Sequence, residues 1–366
     1  MKFILSREAL LPTVQAITNV VERRQALPIL ANVLISIEKE IATFTATDLE
    51  VELVVELYAT NSVDGAVTVP ARKLFDICRA LPTDASISFE VDGRKAKIQS
   101  GKSRFTLGTL AASEFPSIGT FQAAFVAEID AKLLLELVEA TQFAMAHQDV
   151  RYYLNGLLLE FGDSGIRAVA TDGHRLALCD RVMALDIGAQ RQIIVPRKGV
   201  IEIERLLRHS EGRITISVGG NHLKVVGSTQ SLTTKLVDGR FPEYERVVPK
   251  DGKMHLVADR EAMGAALNRT SILSNDKFRG IRLTLSRGSL KASAHNPEQE
   301  EAEEEIEVQY DGNEIEIGFN VSYLLDVFSI LKSEKVCVEF SDANSSCLIK
   351  DPNDDRARYV VMPMRL

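Results

Sequence analysis

Residues Asp172, Gly173, His174 and Arg175 set a carboxylate, an imidazole and a guanidinium side by side, the ingredients of a general acid–base pair. The chemistry would be general-base catalysis by Asp172 and His174, for instance in a hydrolase. No G-x-S-x-G turn supplies a nucleophile, and no cysteine–histidine motif accompanies the pair. The competing reading is a tight turn in which Asp172 accepts backbone amides and Gly173 takes a positive φ. Thr47-Asp48-Leu49, at the matching point of an earlier segment, has no histidine, which favours the turn. Gly101-Lys102-Ser103 could end a phosphate-cradling loop, but the glycine required five residues earlier is Ala96. The flanking RKAKIQSGKSRFTL reads instead as a basic hairpin. The six histidines are scattered without an H-x-x-x-H pair. DPNDDRARY, from Asp351, lacks the glycine and terminal glutamate of a calcium loop and reads as a solvated loop. No catalytic residue, metal ligand or cofactor is therefore assigned.

The elements that would position these residues come in three copies. MKFILSREALLPTVQAITNVV, AAFVAEIDAKLLLELVEATQFAM and KMHLVADREAMGAALNRTSIL each read as a strand running into a helix. Ser6, Asp130 and Asp259 stand at the N-cap positions, and Pro12 should kink the first helix. A second strand–helix unit also recurs, in AVTVPARKLFDICRALP, QIIVPRKGVIEIERLLR and IEIGFNVSYLLDVFSILK, where Pro70 and Pro196 suit a first helical turn. Alternating strands run between the two helices of each copy, as in IATFTATDLEVEL and GIRAVATDGHRLAL. The offsets from Thr47 to Thr171, Val69 to Val195 and Phe115 to Phe241 give a period of about 124–126 residues. Three domains are expected, over residues 1–120, 121–245 and 246–366, each an α+β layer with helices on one face of antiparallel sheets. The sheet edges at the start and end of the chain are expected to be free for pairing.

Composition narrows the function classes. At 366 residues and 45% apolar, the chain supports real cores and excludes disorder. Cys78, Cys179, Cys337 and Cys347 stand far apart, as buried thiols in a reducing compartment would. No apolar run approaches a secretory or membrane segment, so a soluble cytoplasmic protein is expected. The net charge of −8 argues against tight nucleic-acid binding by overall charge. Basic residues nevertheless recur on the second helices: Arg72, Lys73 and Arg79, then Arg197, Lys198, Arg205 and Arg208. Arg23 and Arg24 follow the first helix. The reading is a local basic surface in an acidic protein, giving sequence-independent, salt-sensitive phosphate contacts.

The tripled plan, together with LPIL, VPARK, QDVRYYLNG, ATDGHRL, KLVDGRFP, NPEQEEAEE and the terminal VMPMRL, resembles the bacterial β sliding clamp family of DNA polymerase III over the whole chain. The resemblance implies a head-to-tail homodimer of six clamp domains, with helices lining a ring interior and antiparallel sheets outside. Duplex DNA would pass through, held topologically, as a processivity device without catalysis of its own. Implied DNA contacts are Arg24, Arg72, Lys73, Gln148, Tyr152, Tyr153 and Lys198.

Implied dimer contacts are Lys73, Lys102, Arg104, Phe105 and Leu107 on one end, with Ile272, Leu273, Glu298, Glu301 and Glu304 on the other. Opposite charges on the two ends suit such a heterologous interface. The family's hydrophobic cleft captures short extended peptides from the polymerase III catalytic subunit, the clamp loader, other polymerases and mismatch-repair or ligase proteins. Here it would comprise Leu154, Thr171, Gly173, His174, Arg175, Leu176, Pro242, Arg246, Val247, Tyr323, Ser346, Val360, Val361, Met362, Pro363, Met364, Arg365 and Leu366. The loop at Asp186 and the stretch from Asp351 follow no family motif. A scaffold that binds proteins without DNA stands as a further alternative, beside the hydrolase.

Overall fold

In the computed structural model, residues 1–21, 27–119, 121–185, 187–250 and 252–365 are described. Arg23, Arg24, Asp186 and Leu366 lie outside the described residues. The first helix of each repeat is α1 (Arg7–Val20), α3 (Ala131–Thr141) and α5 (Arg260–Thr270); the second is α2 (Ala71–Ala80), α4 (Arg197–Arg208) and α6 (Val321–Ile330). The expected caps are present. Ser6 accepts from the Ala9 amide at 3.2 Å, Asp130 from Lys132 at 2.9 Å, and Asp259 from Ala262 at 2.8 Å. Each satisfies an amide that the first turn leaves without a partner, worth about 1 kcal/mol. Pro12 lies inside α1, which runs on to Val20. One detail differs from expectation. Pro70 precedes the first turn of α2 as its N-cap, one position earlier than the reading placed it.

Among the described residues the strands form four antiparallel sheets. Contact density divides the chain into two compact units, residues 1–135 with 198–236 and residues 136–197 with 237–366. The first unit holds a five-stranded sheet, in the order Thr60–Val63, Lys2–Ser6, Ser86–Asp92, Lys95–Ser100, Ser103–Gly108. It also holds an eight-stranded sheet: Phe125–Asp130, Arg213–Gly219, His222–Val226, Gln230–Lys235, Val51–Tyr58, Ile41–Thr47, Asn32–Glu38, Gly65–Pro70. Phe3 stacks on Phe89 with centroids 4.9 Å apart and meets Phe44 edge-on at 6.4 Å, in a core that α1 covers. Gly199 on α4 has no room for a side chain, because a Cβ there would lie 2.6 Å from Thr234 Oγ1.

The second unit repeats the plan. Its eight-stranded sheet runs Arg191–Pro196, Gly156–Gly162, Gly165–Thr171, Arg175–Val182, Asp354–Val361, Cys347–Asp351, Lys335–Phe340, Met254–Asp259. Its four-stranded sheet runs Glu301–Glu307, Ser289–His295, Gly280–Ser286, Ile315–Asn320. The stretch from Asp351 is therefore a hairpin and not an open loop, with Asp351 opposite Asp354.

Each eight-stranded sheet is a seam between repeats. The last strand of one repeat (Gln230–Lys235 or Asp354–Val361) pairs with the strand after the Asx turn of the repeat before it (Val51–Tyr58 or Arg175–Val182). This corrects the expectation of free edges at the chain's two ends. Lys2–Ser6 and Asp354–Val361 are both interior strands, satisfied on either side. Ser103–Gly108 and Glu301–Glu307 are among the strands that do end a sheet.

Candidate functional site

The Asp172 turn is fixed by its own backbone. Asp172 Oδ1 accepts from the His174 amide at 2.9 Å and the Arg175 amide at 3.0 Å, and Gly173 takes φ +90°. Thr171 Oγ1 donates to the Arg175 carbonyl at 2.6 Å and accepts from the Gly173 amide at 3.1 Å. Asp48 closes the equivalent turn of the first repeat the same way, accepting from Glu50 and Val51. The carboxylate proposed as half of an acid–base pair is thus occupied by turn amides and by the Arg175 guanidinium. His174 serves differently: its ring lies parallel to Tyr323 at 6.3 Å, and its carbonyl accepts from the Met362 amide at 2.9 Å.

Arg175 is a hub more than a surface contact. Its guanidinium binds Asp172, Asp326 on α6 and the Phe143 carbonyl. It also stacks over Tyr323 at 4.7 Å and Phe143 at 5.2 Å. With its side chain 12% exposed, it joins three segments and orients the tyrosine on which His174 rests. Burial beside Asp172 pushes the Tyr323 hydroxyl above its ordinary pKa.

The apolar residues assigned to the cleft divide by depth. Leu154, Leu176 and Val360 are almost wholly buried in one cluster with Phe241 and Tyr244, so they form a floor. Val361 is buried as well, paired with Arg175 and Cys347. Val247 and Met362 are the exposed members, at 48% and 44%. Pro242 and Arg246 are exposed on the loop whose Tyr244 packs into the floor, and Ser346 is half-buried beside Cys347. The tail beyond Val361 is tied down again where the Met364 amide donates to the Gly318 carbonyl at 2.8 Å. Pro363 is half-buried and Arg365 exposed.

Sequence reasoning missed Arg151 and Asn155, although both stand inside the QDVRYYLNG segment. The Arg151 guanidinium grips Asp149 at 3.0 and 2.8 Å and donates to the Asp172 carbonyl at 3.2 Å. It lies 2.9 Å from where a Cβ on Gly173 would be, so a side chain there would push the guanidinium aside. Asn155 folds the same loop by bonding both backbone groups of Asp149. The Arg151 pair holds the Asp149 carboxyl down at about 2. Gln148 at φ +55° and Tyr152 are exposed on this loop, while half-buried Tyr153 packs against the floor.

Two of the edge strands, Ser103–Gly108 and Glu301–Glu307, carry opposite charge. On Ser103–Gly108, Arg104 and Thr106 are exposed while Phe105 and Leu107 turn inward; Lys102 and Lys73 are exposed nearby in sequence and on α2. On Glu301–Glu307, Glu301, Glu303, Glu305 and Glu307 are exposed on one face. Glu304 points to the other face, where Arg269 of α5 grips it at 2.6 and 2.9 Å. Ile272 is 73% exposed, Leu273 half-buried and Glu298 exposed.

Family models of the DNA polymerase III beta subunit match the chain end to end, the N-terminal domain over residues 1–119, the central domain over 128–243 and the C-terminal domain over 245–365. The chain belongs to this family. It is 51% identical to the beta sliding clamp of Pseudomonas putida and 47% identical to that of Escherichia coli, with both chains covered completely. A solved DNA polymerase sliding clamp from Pseudomonas aeruginosa superposes with a TM-score of 0.96 at 49% identity, each chain covered fully. The chain thus has the family's three-domain clamp fold, antiparallel sheets with few helices.

For a beta subunit, the charges on the second helices are less free than sequence suggested. On α4, Arg205 pairs with Glu202 and Arg208 with Glu204 at 2.7 Å, while Arg197 donates to the Met145 carbonyl at 3.2 Å. The Lys198 ammonium binds the nearly buried Asp48 carboxylate and the Val20 carbonyl. It therefore closes the first unit more than it faces solvent. Arg79 on α2 pairs with Asp76 at 3.1 Å, whereas Arg72 and Lys73 stand exposed on the same helix.

Proposed function

We propose that the chain is a sliding clamp subunit: two copies close head to tail around duplex DNA and hold a DNA polymerase to it, with no chemical step of their own. The carrying observation is the repeated seam. Across the two seams within the chain, Ser231 faces Val54 and Arg358 faces Leu178. In their hairpins Arg104 faces Gln99 as Ser231 faces Val226, while Val54, Leu178 and Glu303 face Thr45, Val169 and Ser293. Carried to a third seam between copies, the rule sets Arg104 opposite Glu303, Phe105 opposite Ala302 and Thr106 opposite Glu301. The faces agree, since Arg104 and Glu303 are exposed while Phe105 and Ala302 are half-buried. Such pairing would cover these two edge strands, which are otherwise liabilities for aggregation. Lys73 and Lys102 would add cations beside Glu298 and Glu301, Glu304 staying with Arg269, and Leu107 would meet Ile272 and Leu273.

In this reading the domains are residues 1–120, 121–245 and 246–366. Helices line the hole, and Arg72, Lys73, Gln148, Tyr152 and Tyr153 make weak phosphate contacts that permit sliding. Arg24 and Lys198 join them, Lys198 only by releasing Asp48. The floor of Leu154, Leu176 and Val360 takes an apolar peptide between His174, Val247 and Met362, from the polymerase, the clamp loader or other DNA-processing proteins. The adaptable methionines Met362 and Met364 suit several partners.

The experiment is an intermolecular disulfide between Arg104→Cys and Glu303→Cys in one chain, the native cysteines being buried. Closed, covalent dimers are expected on mild oxidation. A ladder of longer polymers would mean an open filament, and no cross-link would mean the register is wrong.

A further inference from the structure

The strands Met254–Asp259 and Lys335–Phe340 pair antiparallel with His255 directly opposite Glu339. Val336, Val338 and Phe340 are buried in the core, so Cys337 and Glu339 belong to the opposite face of the same strand. On that face a His255 ring nitrogen, the Cys337 sulfur and a Glu339 oxygen all lie within 4.8 Å of one another. His255 Nδ1 is 3.7 Å from Glu339 Oε1. Ligands on a tetrahedral zinc ion stand about 3.3–3.8 Å apart, given metal–ligand bonds of roughly 2.0–2.3 Å. Small side-chain rotations on a rigid ladder therefore complete the set.

We propose that His255, Cys337 and Glu339 form a binding site for a zinc-class transition-metal ion, with water in the fourth position. The electrostatics already select a cation there. Lys350, opposite Cys337 on the next strand, places its ammonium 3.0 Å from Glu339 Oε1 and 3.0 Å from Asp355 Oδ1. An arriving divalent ion takes Glu339 and leaves the ammonium on Asp355. The thiol gives its proton to water, and thiolate and carboxylate together neutralise the ion. Sulfur and imidazole select zinc or cobalt over magnesium or calcium. The spacing is invisible in sequence, because one ligand lies on a different strand from the other two. The site uses no residue of the proposed cleft or ring contact and stands independently of both.

Cobalt(II) added to the full-length protein is the test. A thiolate-to-cobalt charge-transfer band in the near ultraviolet is expected, saturating at one equivalent and displaced by zinc. Cys337→Ser should abolish the band, and His255→Gln, altering an exposed side chain, should weaken binding by about tenfold or more. Lys350→Gln should tighten it by removing the competing ammonium. No band in the native protein, a band that survives Cys337→Ser, or affinity indifferent to both His255→Gln and Lys350→Gln would each overturn the assignment.

Discussion

Arg104→Glu tests the proposed register at one residue. Across an antiparallel seam, directly opposed side chains stand about 4.5–5.5 Å apart at Cβ and diagonal neighbours about 7–8 Å. The substitution removes an exposed ion pair with Glu303, worth about 0.2–1 kcal/mol. It also sets a negative charge opposite Glu303 and diagonal to Glu301 and Glu305. In water that repulsion is about 0.8 kcal/mol for the opposed pair and about 0.5 for each diagonal, before screening. Physiological salt, with a Debye length near 8 Å, removes roughly half. A closed dimer contains the contact twice, so the total is roughly 2–4 kcal/mol, a rise of about 30- to 900-fold in the dimer dissociation constant. Sedimentation of a dilution series at two ionic strengths reads this directly, with the larger effect at low salt. Adding Glu303→Arg should restore the dimer. Glu304→Arg should not, because Glu304 faces Arg269 on the other side of the strand. An unchanged dimer constant, or equal rescue at both positions, would refute the register.

Gly173→Ala should cost about 1–2 kcal/mol through its left-handed backbone, read as a lowered urea midpoint, and should weaken peptide capture by displacing Arg151. Lys198→Ala should lower stability by roughly 1–3 kcal/mol, because it strips a charged partner from the nearly buried Asp48. Arg72→Ala should leave the urea midpoint unchanged and reduce only the salt-dependent affinity for DNA. Burial pushes the thiols of Cys78 and Cys347 up to about 12. Both should resist alkylation at pH 8 in the folded protein, and the rate should rise only toward pH 12 or on unfolding, as mass spectrometry of labelled peptides would show.

Much of the fold was legible because its signals are local. Ser6, Asp130 and Asp259 cap helices from the positions their sequence context assigns, and Gly101 turns the hairpin that RKAKIQSGKSRFTL spells out. What escaped depends on pairing between distant segments. Lys2–Ser6 reads as an edge only until Thr60–Val63 is found beside it. Lys198 reads as a free cation only until Asp48 closes on it. At the candidate site, the Asp172 turn was recognisable from Asp-Gly alone. Arg175, in contrast, reads from sequence only as one cleft residue among many, because Asp326 and Phe143, which enclose it, lie on separate segments.

The most direct measurement of ring closure around DNA uses nicked circular DNA, the full-length protein and a bacterial clamp loader with ATP. After loading, free protein is removed by gel filtration and the circle is cut once with a restriction enzyme. The account predicts that the protein stays with intact circles and leaves the linear product. Retention on cut DNA would mean a direct grip in place of a topological link, and would contradict it.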